Sequence, residues 1–520
     1  MQKFFRGVIN VIGIILLSIV VILNIIYTTQ IRTCEYAETT KNSIFLILLV
    51  AICVFLIYKL ITRSKITITQ KNNRILVLFI ISIAYFILQL VWIKIIDIYP
   101  NADQFYTYNF GRAMYNITET ELVEADLNYF AYYPFQINLS FVFSIIFKIF
   151  HSTNVRIIQV INAFANTLNI LSIYLITKEL EKKHNVNKKI SLIIYLLFTP
   201  LILFTTFVYG DFMSLTLSLF AIYFIIKYTN TESQKKYLYI LLSSICMMIS
   251  LFVRNNAAII VMAIAIYLFF DLLKKESKKS NYIYKILSII AFIIISVMPS
   301  RISQNILLTK YNIERGKECS MQSYLIMGID KSPYGNGWYS ARYGKRMVSI
   351  PKEERMEIHL KRFNKIIEYY KKNPKELLKF YVYKEASMWC EPTFESLYDN
   401  LTSYGYQNFD AGYTEYEKDT KLMETERYYV PYMKIVVSFI FVIALLVIIT
   451  NKKKLTNDDT LFILIFIGGF LFHTIWEAKS RYIIPYVVIL IPLCSIKINS
   501  IKFNKLKIKK LEKNKNKNGG

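Results

Sequence analysis

The sequence predicts an all-α polytopic membrane protein: about twelve transmembrane helices, both termini inside, and a mostly helical outer-face domain inserted between spans nine and ten. Three observations predict it. The 520-residue chain is 54% hydrophobic with a mean hydropathy of +0.36, and it holds only 15 Gly and 11 Pro. Its runs of Ile, Leu, Phe and Val recur at roughly the twenty residues that a bilayer core requires. Backbone groups in lipid must bond internally, so such runs are helices. Finally, the 63 Lys and Arg, against 36 Asp and Glu, gather on alternate connections.

The spans run over 7–27, 43–61, 75–96, 155–177, 190–208, 212–227, 237–253, 257–273, 285–300, 431–450, 460–476 and 481–497. The first has a long apolar run with no small-residue cleavage site after it, and reads as a retained helix rather than a signal peptide. With Lys3 and Arg6 inside, the inner connections carry Arg63 to Arg74, Lys178 to Lys189, Lys227 to Lys236, Lys274 to Lys285 and Lys452 to Lys454. That distribution obeys the positive-inside rule. It also accounts for the net charge of +27 without nucleic acid as a partner. The apolar segment 135–150 is 16 residues long and contains Lys148. Counting it as a span would invert every later loop, so it is expected to lie in the outer interface.

The chain divides accordingly. Residues 1–74 form two N-terminal spans and a basic inner loop, and 75–300 form a transmembrane core with a first outer loop at 97–154. Residues 301–430 form the outer-face domain, 431–497 the last three spans, and 498–520 a basic cytoplasmic tail. The stretch 301–430 holds 21 Lys and Arg against 18 Asp and Glu, close to balance. Its Asn373-Pro374 pair interrupts what reads as two helices. The six cysteines are scattered, with no CxxC or metal-ligand spacing. Cys319 and Cys390 share one loop, and whether they pair stays open, because distance in sequence does not set distance in space.

The polar residues at the outer ends of spans are the candidates for chemistry, because polar groups at such depth are costly and are usually functional or paired. Asp97 and Asp103 follow a span directly, in IIDIYPNADQFY. A carboxylate there can take the proton of an acceptor hydroxyl; it can equally solvate a helix end. Three very short outer turns follow: YGD at 209–211, RNN at 254–256 and EAKSR at 477–481. Arg254, Lys479 and Arg481 suit phosphate recognition, against the alternative of snorkelling at a helix end. Asp211 can bind a sugar hydroxyl or a metal, or cap the helix after it. Glu477 stands four residues after His473, a metal-pair spacing, although a structural hydrogen bond is the simpler reading. Trp338, in GIDKSPYGNGWYSARYG, offers a ring on which a sugar can stack. No Walker loop, GxSxG or GxGxxG is present, so no nucleotide-donor site is visible.

Three stretches resemble the GT-C superfamily of polytopic glycosyltransferases, protein O-mannosyltransferases and lipid A aminoarabinose transferases among them. They are the acidic outer loop YPNADQFYTYNFGRAMYN, the pair YYPFQINLSFVFSIIF and RIIQVINAFANTLNILSIYLITKEL, and the late WEAKSRYIIPY at 476–486. The resemblance implies a polyprenyl-phosphate-linked sugar as donor and an inverting transfer. It implies Asp103 as general base, with Asp97 the competitor, and Arg254, Lys479 and Arg481 holding the leaving phosphate. Two departures stand out: the two extra N-terminal spans, and a single acid after Ala102 where many members have two adjacent acids. They leave the base, and any need for a divalent metal, open. The function expected is transfer of a sugar to a cell-envelope lipid, polymer or protein, in a multi-pass cell-membrane protein whose site faces outside. An envelope polysaccharide polymerase or ligase and a lipid-linked-sugar flippase are the rivals.

Overall fold

A computed structural model describes residues 2–32, 35–63, 71–96, 98–116, 124–274, 279–347, 350–403 and 415–498. Asp97, residues 64–70 of the first inner connection and the basic tail beyond 498 lie outside the described residues. The architecture is all-α and polytopic. Among the described residues, ten helices are long and apolar enough to cross a membrane, from Gln2–Ile26 to Asn457–Ile475. Each overlaps one of the predicted spans.

The other two predicted spans are not plain helices. The fifth is a pair, Lys188–Leu197 and Pro200–Thr206, bent by 50°. Pro200 opens its second half, at a position where a missing N–H costs nothing. The twelfth is the shorter apolar helix Ser480–Cys494. Segment 135–150 is also a short helix, Ile137–Phe150, which packs against Ala102–Tyr115, Lys236–Val253 and Lys279–Lys310. Its crossing with the acidic-loop helix is close: a Cβ on Gly111 would sit 2.8 Å from Phe143 Cβ.

The irregular backbone of the bent span and the turn after it presents carbonyls to one neighbouring helix, whose amide side chains bond them. In Val155–Leu180, Gln159, Asn162, Asn166 and Asn169 recur at three- and four-residue spacing, so they share a face, and all are buried. Gln159 donates to the Thr206 carbonyl at 3.1 Å, Asn162 to Phe207 at 2.8 Å and Asn166 to Leu201 at 3.0 Å. This polar ladder lets irregular backbone persist at membrane depth.

The stretch after 300 continues from the helix Lys279–Lys310, which runs unbroken through that point. The expected break at Asn373-Pro374 separates Lys352–Lys372 from Pro374–Trp389. The sheet content among the described residues is two small antiparallel ladders. Tyr27–Arg32 pairs with Tyr36–Lys41, Tyr27 opposite Lys41, in a hairpin that joins the first two spans. Lys331–Ser332 pairs with Gly335–Asn336. Cys319 and Cys390 are both free thiols.

Candidate active site

Three turns meet at one end of the bundle. The first is Phe207–Asp211, between the bent span and the helix Asp211–Thr229. Its backbone is held by Asn162 at the Phe207 carbonyl and by Gln104, whose Oε1 accepts from Val208 N at 2.7 Å. Gln104 belongs to the acidic-loop helix, so Asp103 is positioned against the same turn. Gly210 is needed here, because a Cβ would lie 1.9 Å from the Val253 carbonyl oxygen. That contact seats the first turn on the second, where Arg254 closes the helix Lys236–Val253. Arg254 Nε stands 3.1 Å from Asp211 Oδ1, and its guanidinium lies over the Tyr209 and Tyr482 rings at 4.9 and 5.3 Å.

The third turn is Trp476–Ser480. Lys384, from Pro374–Trp389, donates to the carbonyls of Gly328, Thr474 and Trp476 at 2.6, 2.8 and 2.8 Å, so two of its ammonium protons hold the end of Asn457–Ile475 and the third ties it to Met321–Ile329. Ala478 N then donates to the Gly337 carbonyl at 2.7 Å. Beyond it, Ser480 Oγ lies 2.9 Å from both Glu391 Oε2 and Glu395 Oε1, and its single proton can go to one of them. Lys479 Nζ lies 3.2 Å from Glu35 and 3.4 Å from Glu395. Arg481 stands 3.3 Å from Asp399 and 4.3 Å above the Phe207 ring.

The charges act on one another. Burial pushes the Glu477 carboxyl up to about 7; Lys479 and Arg254 oppose the rise, while Asp103 and Glu35 add to it. Asp103 opens the helix Ala102–Tyr115 with an exposed side chain. Its carboxylate helps to raise the buried Tyr129 and Tyr209 phenols, after burial itself. Lys479 is held well above the usual ammonium range by Glu35 and Glu395, against the effect of burial. Asp103, Asp211, Arg254, Glu477, Lys479 and Arg481 are therefore neighbours, although they come from distant stretches. Among the described residues, no group of three or more His, Cys, Asp or Glu side chains could hold a metal ion.

A family model described as a conserved hypothetical integral membrane protein matches residues 1–502. The chain belongs to this family. No curated protein matches this member of the conserved integral membrane family. A solved structure similar to it is the archaeal oligosaccharyltransferase AglB from Archaeoglobus fulgidus, in complex with an inhibitory peptide and a dolichol-phosphate. The identity is 11%, the TM-score 0.37, and the match covers 84% of this chain and 52% of that one. The family member thus spans about half the length of that protein.

Two sequence-level expectations need correcting at the site of this integral membrane protein. Trp338 is not a stacking platform: it is 1% exposed, and its indole N–H donates to Ser387 at 2.8 Å. Its backbone bridges to Ala478, so it supports the third turn from beneath. His473 and Glu477 do not share a helix face, because the helix ends at Ile475. The His473 ring packs instead against Tyr482 and Tyr486, with centroids 5.7 and 5.8 Å away. Four carboxylates were missed: Glu35, Glu391, Glu395 and Asp399. The last three recur every fourth residue in EPTFESLYD, but 391–395 is a turn with positive φ at Phe394 and Glu395, so no helix face joins them. Glu35 lies in the hairpin turn at φ 60°, with nothing in its neighbours to single it out.

Proposed function

We propose that this protein is a membrane glycosyltransferase that moves a sugar from a polyprenyl-phosphate carrier to a cell-envelope acceptor, at a site on the outer face of the cell membrane. The observation that supports it best is the meeting of an exposed carboxylate, Asp103, with the cations Arg254, Lys479 and Arg481 at one end of the bundle. The acceptor hydroxyl oxygen attacks the anomeric carbon as its proton passes to Asp103. The bond from that carbon to the phosphate oxygen breaks, and the electron pair leaves with polyprenyl phosphate. One displacement inverts the anomeric centre. Positive charge arranged before the reaction stabilises the phosphate as it departs. The buried Nε of Arg481 carries no hydrogen bond within the protein, so this guanidinium has a donor to spare, whereas Arg254 Nε faces Asp211. Glu477, poised near neutrality, is a second group able to exchange a proton there.

The test is purified protein in lipid, given a polyprenyl-phosphate sugar and an envelope extract, with Asp103→Asn in parallel. The parent releases polyprenyl phosphate; the variant does so slower by roughly 10²–10⁴-fold, the usual worth of a general base. Equal release by both removes Asp103 from the mechanism. Movement of the donor across vesicles without sugar transfer identifies a flippase instead.

A further inference from the structure

A cavity of about 480 Å³ opens between the helices Gln2–Ile26, Ile44–Arg63 and Glu415–Asn451. Its walls are apolar, with Val50, Val54, Phe441 and Leu446 among them, and Asn24 and Lys434 stand at one end. That end adjoins the hairpin: Lys434 Nζ donates to the Tyr27 carbonyl at 2.6 Å and to Asn24 Oδ1 at 3.2 Å. An ammonium has three donors, and neither of these acceptors is charged. Lys434 is 1% exposed, and among the described residues it makes no ion pair. The nearby Cys390 thiol supplies no countercharge, because burial pushes it up to about 12. A buried ammonium without an anion is costly, and more so within a membrane.

Length adds to charge. From Lys434 to Leu446 the helix rises roughly 18 Å, slightly more than half the ~30 Å hydrocarbon core of a bilayer. The cavity is therefore as deep as one leaflet, polar at the interface end and apolar below. We propose that it is a binding site for an anionic phospholipid of the surrounding leaflet, with one acyl chain between the three helices and the headgroup phosphate on Lys434. The site is separate from the transfer chemistry and does not depend on it. It gives the two N-terminal spans a role: they form two of the three walls.

The test uses the purified full-length chain in mixed micelles with phosphatidylglycerol, phosphatidylcholine or polyprenyl phosphate. Lipid retained after washing is counted by native mass spectrometry. The parent retains phosphatidylglycerol about tenfold over phosphatidylcholine, equivalent to about 1.4 kcal/mol. Lys434→Met loses that preference and Lys434→Arg keeps it. Ala51→Phe, which fills the cavity from its wall, lowers retention of phosphatidylglycerol with the lysine intact. Equal retention of the two phospholipids by the parent, an unchanged preference in Lys434→Met, or retention of polyprenyl phosphate in place of phosphatidylglycerol each overturns the proposal.

Discussion

Glu477 shows how one side chain reports on its surroundings. Its carboxyl is raised from 4.5 to about 7, chiefly by burial. A raised acid favours the protonated form in the folded state, so its stabilising contribution is complete below about pH 4.5 and disappears as pH rises through about 7. Glu477→Gln removes that titration. The variant should therefore lose less stability than the parent between pH 4.5 and 7.5, by at most about 3 kcal/mol. Thermal unfolding in detergent across that range measures it, and parallel curves for the two proteins contradict it. Glu391 is also pushed up to about 7 by burial, so part of the slope remains. Asp103, Asp211, Arg254, Glu477, Lys479 and Arg481 could be picked out because each lies where a long apolar run stops. Glu35, Glu391, Glu395 and Asp399 could not, because they sit in connections where a carboxylate is unremarkable until the fold brings a cation to it.

At the scale of elements, the bent span and the Asn ladder behave as one unit. Apolar length alone makes 190–208 resemble an ordinary span, and Pro200 is the residue that signals the break. What length cannot convey is which side chains bond the carbonyls there. They are Gln159, Asn162 and Asn166, and through them the Phe207–Asp211 turn is held in place. Asn162→Leu removes the side-chain donor to the Phe207 carbonyl, which keeps the Tyr209 N–H as its other partner. It should destabilise the protein by about 0.5–1.5 kcal/mol, seen as a lowered unfolding temperature. The same change loosens the seat of Tyr209 and Asp211, so donor affinity should fall with stability. A variant as stable as the parent would mean that the ladder is dispensable.

For the whole molecule, the charge on the connections predicts an orientation. Cytoplasmic loops collect Lys and Arg, so Lys452 should face inward and Lys331, in the stretch between the ninth and tenth spans, outward. A membrane-impermeant thiol reagent on intact cells should label Lys331→Cys above the parent's background and leave Lys452→Cys at background until the cells are opened. The reverse pattern would put the candidate site on the inner face and end the reading of an envelope acceptor. Of the twelve predicted spans, ten are helices long and apolar enough to cross a membrane among the described residues, one is a bent pair and one is a helix shorter than a span, because length and hydropathy depend on residues near in sequence.

The sequence by itself determined that this is a polytopic helical membrane protein, where its apolar helices lie along the chain, and which polar residues stand at the ends of the apolar runs; the helices Lys279–Lys310 and Glu415–Asn451 extend well beyond the predicted 285–300 and 431–450. Those properties follow from local composition measured against the thickness of a bilayer and the need of its backbone for internal hydrogen bonds. Only the tertiary structure decided that Asp103 and Glu477 lie within electrostatic reach of one another, that Trp338 supports the site from beneath, and that Lys479 and Arg481 each face acids from the 391–399 stretch. Such facts depend on contacts between residues hundreds of positions apart, and whether a charge is paired, buried or free is a property of that assembled environment.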